Sequence, residues 1–345
     1  MNLFNGFNPG APADIGKALL LVIVAASVIA TTSARLLPVS VELDDDEGRS
    51  RFRRADGDNT TTEMPSDLDL GDGTTANLKE IFLGRCYACE FCTEEQKEAY
   101  DCLALWNAFN SSFAYKEPCT SVPEDFDAYV DMVFMPLPED QTLFYSGMYS
   151  MAMAIGRQSS DYTNIELTML GRVVDGSIFC SMAEAPGINY DACPKFGSCT
   201  NETQAAFWGK SSKRFAGGAS GDVTVILDGS RTDGAYRSTS FFRTAEVVNL
   251  DPAKVTSLTA YIVHNLDGTV TEKCITGSLL DLQEDITSKG ISFNCIDDPS
   301  ITRHVQCIQD PGHDLCRPYS GSAPTNFASP IFLILAFQLV SLLTR

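Results

Sequence analysis

Apolar residues recur at helical spacing over most of the first half of the folded part of this chain. They lie three to four residues apart in four stretches: NLKEIFLGRCYACE (77–90), EEQKEAYDCLALWNAFNSSFA (94–114), DFDAYVDMVFM (125–135) and NIELTMLGRVVDG (164–176). Pro136 and Pro138 end the third stretch, because proline cannot continue an α-helix. The fourth is predicted to end near Gly171. The pattern predicts a mostly helical region, interrupted by the further apolar stretch TLFYSGMYSMAMAIG (142–156).

β-branched runs replace this spacing after about residue 220. Four of them are predicted as strands: DVTVILDGS (222–230), AEVVNL (245–250), SLTAYIVHNL (257–266) and ISFNCI (291–296). Before the last run, residues 278–290 form an amphipathic pattern with Gly290 as its C-cap. Strand–helix–strand order predicts a small, partly parallel sheet with a crossover helix. The fold class is therefore α+β, with residues 180–199 as a Cys-, Pro- and Gly-rich loop.

The N-terminal region has the composition of a targeting signal and a linker. In GKALLLVIVAASVIATTSA (16–34), Lys17 precedes a short apolar run, and small residues precede Arg35. This order predicts a secretory signal peptide over 1–34, cleaved after Ala34. The run is shorter than the roughly 20 apolar residues of a spanning helix, but an uncleaved anchor stays an alternative because sixteen residues precede Lys17. Residues 35–75 are polar and predicted to be a flexible stalk.

The C-terminal region, 320–345, has a different kind of signal. Ser320, Gly321 and Ser322 are small, a polar spacer follows, and the chain ends in an apolar tail. This order predicts a glycolipid (GPI) anchor signal, whose tail is removed on attachment. The alternative is a short single-pass membrane helix. Both ends together predict a protein on the extracellular face of the plasma membrane.

Charge and cysteine content narrow the class further. The net charge of −20 excludes a nucleic-acid binder, which needs Lys and Arg against phosphate. Twelve cysteines, all between Cys86 and Cys316, predict a disulfide framework. No metal site is expected, because CYACEFC has no partner pair at zinc spacing and the chain has three His. Asn59, Asn110 and Asn201 are acceptors for N-glycosylation, so a glycoprotein is expected.

The candidate chemistry consists of acids and aromatic residues. No Ser-His-Asp arrangement and no phosphate-binding glycine motif in the required context is found. Glu246 stands inside the apolar run SFFRTAEVVNL (240–250), and Glu166 stands inside a helical pattern. Trp208 is one of two tryptophans, and Tyr145 lies in TLFYSG. Each has a structural alternative, because an acid can pair with an arginine and a tryptophan is usually in the core.

At these residues the chain resembles the ADP-ribosyl cyclase/NAD glycohydrolase family. The resemblance covers roughly residues 76–317. It implies a mostly helical subdomain (76–138 and 164–220) and an α/β subdomain with a small parallel sheet (139–163 and 221–317), with the site in the cleft between them. The matching blocks are IFLGRC (81–86), DCLALWNAFNSSFAYKEPC (101–119), TLFYSGMYSMA (142–152), NIELTMLG (164–171), FWGKSSKRFAGGASGDVTVILDGS (207–230), SFFRTAEVVNL (240–250) and CITGSLLDL (274–282).

The resemblance also implies roles for individual residues. Glu246 matches the catalytic glutamate, Trp208 the aromatic that stacks on nicotinamide, and Glu166 the acid that reads the carboxamide. Tyr145 stands where a second Trp is common, and Gly147 stands where the vertebrate members have a phosphate-binding Arg. The other implied substrate-binding positions are Ser146, Asp175, Ser212, Phe241 and Phe242; Ser212 and Phe242 match phosphate and ribose contacts, and Phe241 matches a position that favours cyclisation.

Five disulfides are implied by the same resemblance, namely Cys86–Cys102, Cys119–Cys199, Cys180–Cys193, Cys274–Cys295 and Cys307–Cys316. Cys89 and Cys92 remain, and a bond between them is an inference by elimination.

The expected function is cleavage of the nicotinamide–ribose bond of NAD. The products are nicotinamide with ADP-ribose, cyclic ADP-ribose or both. NAD is a substrate, NADP is an alternative substrate, and no cofactor is expected. The rival function is a non-catalytic surface receptor or adhesion module on the same scaffold, and a third is base exchange on NADP. The oligomeric state is left open.

Overall fold

The computed structural model describes residues 68–320 of the chain, with side chains to 318. The predicted signal peptide, most of the predicted stalk and the anchor signal from 321 onward lie outside the described residues. The end of the predicted stalk is part of the folded domain instead. The amide of Gly71 donates to the carbonyl of Cys193 at 2.8 Å, and that of Thr74 to the carbonyl of Asn189 at 2.9 Å. Backbone pairing of this kind secures a polar segment that composition alone assigns to a linker.

The helices of the first part follow the predicted apolar spacing. An exception is NIELTMLGRVVDG, where extended backbone at Thr168 separates a 3₁₀ turn, Ile165–Leu167, from one short helix. The helices are α1 (Leu78–Ala88), α2 (Glu94–Ala99), α3 (Cys102–Phe113), α4 (Asp127–Val133), α5 (Tyr149–Gln158), α6 (Met169–Arg172) and α7 (Thr203–Gly218). A second 3₁₀ turn, Pro123–Phe126, precedes α4.

An aromatic cluster forms the core of these helices. Phe109 of α3 is fully buried. Its ring lies 5.1 Å from that of Phe179 and 5.7 Å from that of Phe207, both edge-on. Edge-to-face pairs of this kind add to the free energy gained from burying apolar area. Phe207 belongs to α7, so the cluster fixes the helix that also carries Trp208 and Ser212.

Four parallel strands form the sheet, in the order β1–β2–β3–β4. The apolar pattern predicts a partly parallel sheet, and the observed sheet is entirely parallel. Strand–helix–strand order is confirmed, because α8 connects β3 to β4, and Gly290 follows α8 with a φ of +82°. The remaining elements are β1 (Leu143–Ser146), β2 (Gly221–Asp228), β3 (Val255–Val263), α8 (Ser278–Ser288), β4 (Ser292–Asp297), α9 (Ser300–Gln309), a 3₁₀ turn (Asp314–Cys316) and α10 (Arg317–Ser320).

The predicted strand at AEVVNL is wrong. Residues Phe242–Val247 form a π-helix that packs against α7. Glu246 and Val247 are both buried, whereas Val248 is exposed, so burial does not alternate as a half-buried strand requires. The turn starts at Ser240, whose carbonyl accepts the amide of Thr244 at 2.9 Å. Packing against α7 has overridden the β-propensity of the two valines.

Six disulfides staple the described part, and no described cysteine is free. All five pairs implied by the resemblance form, and Cys89 is bonded to Cys92. The predicted loop 180–199 is confirmed, since it contains no helix or named strand and is closed by Cys180–Cys193. The bonds are Cys86–Cys102, Cys89–Cys92, Cys119–Cys199, Cys180–Cys193, Cys274–Cys295 and Cys307–Cys316.

Two predicted surface features fall on the described residues. Asn201 is exposed, and Asn110 is partly buried on α3. Asn59 lies outside the described part. Between residues 68 and 320, no helix has the length and apolar character needed to cross a membrane.

Candidate active site

Glu246 is a buried carboxylate on the π-helix. Its side chain is 6% exposed, and its Oε2 atom has no hydrogen-bond partner in the structure. A hydrogen bond from the Ser212 side chain of α7 holds the carboxyl group. Burying an acid without a cationic partner costs free energy, so such a group is expected where a ligand supplies the missing charge.

Trp208 lies on the same face of α7 as Ser212, because residues four apart on an α-helix are neighbours. The indole is partly buried and packs against the backbone of Gly171. A Cβ atom at Gly171 would lie 3.1 Å from Cζ3 of the indole and 2.9 Å from the carbonyl oxygen of Ile165. Glycine therefore lets the segment after Glu166 approach the ring closely.

Glu166 forms the second buried carboxylate. It lies in the 3₁₀ turn Ile165–Leu167, whose first turn is capped by the Asn164 side chain, and it is 3% exposed. Oε1 accepts a short hydrogen bond from the Tyr145 hydroxyl at the end of β1, and Oε2 has no partner. The sheet edge and the helical part thus contribute to one site.

Asp175 extends the acidic group. It is 8% exposed, and its Oδ2 accepts a hydrogen bond from the Tyr149 hydroxyl at 2.9 Å. The guanidinium of Arg85 donates to the Asp175 backbone carbonyl at 2.6 Å. Charge on Asp175 acts on both Glu166 and Tyr145, which places all three within one electrostatic neighbourhood.

The two glutamates titrate far from the ordinary range of carboxyl groups. Burial raises the pKa of Glu246 to about 8; the Ser212 hydrogen bond opposes this rise, and the charge of Glu166 adds to it. Burial also raises the pKa of Glu166 to about 7, against the lowering effect of the Tyr145 hydrogen bond. A positively charged ligand would reverse both shifts by favouring the ionised forms.

Three further predicted site residues, Ser146, Phe241 and Phe242, differ in how far their side chains are exposed. Ser146 is 5% exposed at the carboxyl end of β1, directly after Tyr145, and it accepts a hydrogen bond from Arg237. Phe241 is partly buried, with its ring 6.0 Å from that of Phe196. Phe242 is 1% exposed, so its ring offers no surface to a ligand in this structure.

The ring of Phe242 lies in the core instead, between those of Phe144 at 5.9 Å and Tyr236 at 5.8 Å. The remaining predicted residues come together around the two glutamates: Trp208 and Ser212 from α7, Tyr145 and Ser146 from β1, and Asp175 from the loop after α6.

Sequence reasoning missed two residues beside this group, Tyr149 and Arg237. Tyr149 lies at the start of α5 and Arg237 in the loop after β2. No spacing rule connects either of them to Glu246. The available signal was weak, and consisted of a further tyrosine in YSGMY and a lone arginine in GAYRSTS.

The described architecture matches one protein family. The family model for ADP-ribosyl cyclase matches residues 75–316. ADP-ribosyl cyclase/cyclic ADP-ribose hydrolase from Aplysia kurodai is 32% identical over 247 residues, which cover 70% of this chain and 87% of that protein. Human ADP-ribosyl cyclase/cyclic ADP-ribose hydrolase 2 is 29% identical over 260 residues, 75% of this chain and 81% of that protein.

Solved structures give the same result. Aplysia cyclase complexed with substrate NGD and product cGDPR superimposes with a TM-score of 0.66 at 31% identity, covering 72% of this chain and 99% of that one. Porcine CD38 with a covalent intermediate gives a TM-score of 0.62 at 32% identity, covering 66% and 98%. This chain belongs to the ADP-ribosyl cyclase family.

Proposed function

We propose that this chain cleaves the nicotinamide–ribose bond of NAD, releasing nicotinamide together with ADP-ribose, cyclic ADP-ribose or both. The observation that carries the proposal is the pair of buried carboxylates, Glu246 and Glu166, each with one oxygen that lacks a hydrogen-bond partner. The site lies at the carboxyl end of a parallel strand, where α/β proteins bind ligands. The relatives named above, with the cyclase complexed with NGD and cGDPR, support the same chemistry.

Glu246 stabilises the positive charge that develops on the sugar. Departure of neutral nicotinamide leaves an oxocarbenium-like cation at C1′ of the ribose. A fixed carboxylate in a poorly hydrated site stabilises that cation more strongly than water does. The pyridinium charge of NAD favours the ionised carboxylate, so binding of the substrate prepares the group despite its raised pKa.

Trp208 and Glu166 position the departing ring. The indole supplies a flat apolar face for nicotinamide. The open oxygen of Glu166 can accept a hydrogen bond from the carboxamide, while the Tyr145 hydroxyl holds the other oxygen. Correct orientation of the ring lowers the entropic part of the barrier.

The cation then reacts with one of two nucleophiles. Water gives ADP-ribose, and the adenine of a folded substrate gives cyclic ADP-ribose. We assign control of the ratio of cyclic to linear product to Glu166, Tyr145 and Phe241, of which Tyr145 and Glu166 are hydrogen-bonded to each other. NADP would use the same site.

No cofactor takes part in this scheme, because a resident carboxylate supplies the stabilising charge. The six disulfides are typical of an oxidising compartment, which supports an extracellular location. Attachment through a glycolipid anchor rests on the small-residue and apolar pattern of 320–345. Release of surface protein by a phosphatidylinositol-specific phospholipase would test the anchor, and protein retained on the cells would contradict it.

The function is tested by incubating cells that express the full chain with NAD and separating the products by chromatography. We expect nicotinamide to appear with ADP-ribose, cyclic ADP-ribose or both, and mock-transfected cells to release none. Absence of nicotinamide, with the protein shown at the surface by antibody, would favour the receptor or adhesion module.

A further inference from the structure

Arg237 contacts the end of β1, the strand that pairs with β2. It lies in the loop that follows β2, and its Nη2 atom donates to the Ser146 hydroxyl at 3.3 Å. Ser146 is buried, and it directly follows Tyr145, which binds Glu166. The guanidinium therefore contacts the residue that follows Tyr145 in β1.

The proposed substrate carries negative charge that the acidic residues of the site would repel. NAD carries a diphosphate with two negative charges, whereas Glu166, Asp175 and Glu246 give the site an acidic character. The chain as a whole has a net charge of −20. Binding the diphosphate in such surroundings requires a nearby cation to offset the repulsion.

The end of β1 does not supply that cation from its own sequence. The residue after Ser146 is Gly147, which is exposed, has a φ of +68° and carries no side chain. Two neighbouring arginines of the same region make contacts away from Ser146, whereas Arg237 contacts Ser146 and its charge also acts on Asp233. Arg231 forms an ion pair with Asp233 at 2.8 Å, and Arg243 lies over the Tyr236 ring and 3.4 Å from Asp281.

We propose that Arg237 is the diphosphate-binding cation of this chain, and that it acts together with the Ser146 hydroxyl. This inference rests on the proposed function. A guanidinium presents several N–H donors in one plane, so it can bind phosphate oxygens while it keeps its contact with Ser146. The cation then comes from the loop after β2 rather than from the strand end itself.

The test compares binding of ADP-ribose, which carries the diphosphate, by the full chain and two variants in calorimetry. We expect Arg237→Ala to weaken ADP-ribose binding about tenfold, equal to about 1.4 kcal/mol. Arg237→Lys should recover part of the loss, because it keeps the charge without the planar fork. Arg231→Ala, in the same loop, should leave the affinity within about twofold of the parent.

A second readout separates anion binding from a structural role. Raising the salt concentration should weaken ADP-ribose binding to the parent more than to Arg237→Ala, because screening acts on the contact that the variant lacks. Equal salt dependence, unchanged affinity in Arg237→Ala, or an equal loss in Arg231→Ala would overturn the inference. Binding that depends on Arg237 in a chain that does not consume NAD would leave this inference standing and refute the proposed function.

Discussion

The two ends of the candidate site differ in how their charged groups are surrounded. At one end, Glu246 and Glu166 are buried, and the groups that shift their pKa values do not include an arginine or a lysine. At the other end, Arg237 is partly buried and donates to the hydroxyl of Ser146. Ionisation of the acids at the first end therefore costs free energy unless a cation is bound, whereas the arginine at the second end carries its positive charge close to solvent. In a substrate with a pyridinium cation and a diphosphate, the cation is opposite in charge to the acids and the diphosphate is opposite in charge to the arginine.

This difference in burial predicts which groups mainly control the turnover rate and which mainly control the affinity for the substrate. A buried carboxylate acts strongly on a cation because little water screens it. A partly exposed arginine is screened, so its effect is smaller and depends on salt. Substitutions at the buried end should therefore change turnover most.

The largest effect is expected for Glu246→Gln. The variant keeps the shape of the side chain but loses the charge, so nicotinamide release should fall by about a hundredfold or more. Steady-state assays of nicotinamide release measure the change. Glu202→Gln is a matched control, because Glu202 is also buried and has an unpartnered oxygen but caps the start of α7. More than about a tenth of parent activity in Glu246→Gln would refute the assigned role.

The next effect concerns stability against pH. Folding raises the pKa of Glu246 to about 8 and that of Glu166 to about 7, from 4.5. The folded state therefore binds more protons than the unfolded state in this window, and the free energy of unfolding should fall as pH rises from about 4.5 to about 8, by up to a few kcal/mol.

Denaturant unfolding of the parent and of Glu246→Gln at pH 5 and pH 8 would measure this dependence. The variant should be less sensitive to pH, because its amide does not titrate. A parent protein that gains stability between the two pH values would contradict the assignment of the buried acids.

A smaller effect is expected for Trp208→Ala. Loss of the stacking face should raise the KM for NAD about fivefold, in line with about 1 kcal/mol for an aromatic contact. Trp208→Phe is the control and should keep most of the affinity. An unchanged KM in the alanine variant would place the nicotinamide ring elsewhere.

The smallest effect is expected for Tyr145→Phe. The Tyr145 hydrogen bond lowers the pKa of Glu166, so its removal should raise that pKa above about 7. The ratio of cyclic to linear product should then change at a higher pH than in the parent. Tyr149→Phe is the control, because its hydroxyl binds Asp175 instead. An identical pH profile in both variants would remove Glu166 from control of the product ratio.

Much of the fold could be predicted because its apolar periods are regular. The stretches around Phe82 and Phe109 repeat apolar residues at helical spacing, and DVTVILDGS has the β-branched composition of a buried strand. AEVVNL was misassigned because two adjacent valines indicate a strand, whereas contact with α7 stabilises a π-helix. Local propensity is too weak to decide against packing of that kind.

The candidate site was predictable only in part. Glu246 stood out as an acid in an apolar run, but its role came from resemblance to a family. The ring of Phe242, a residue predicted to contact phosphate or ribose, is enclosed by Phe144 and Tyr236, which no sequence pattern indicates. Arg237 carried only a weak signal, because its contact with Ser146 joins the loop after β2 to the end of β1, 91 residues away along the chain.

The sequence by itself determined the helical and strand periods, the family and the set of acids and aromatic residues that a charge-stabilising site requires. These features are local or are carried by ordered blocks of residues. Only the tertiary structure decided that Glu246 and Glu166 are buried close enough for the charge of one to act on the other, and that Arg237 contacts Ser146. Burial and proximity arise from packing between distant segments, and the free energy of a charge depends on those surroundings more than on the residue itself.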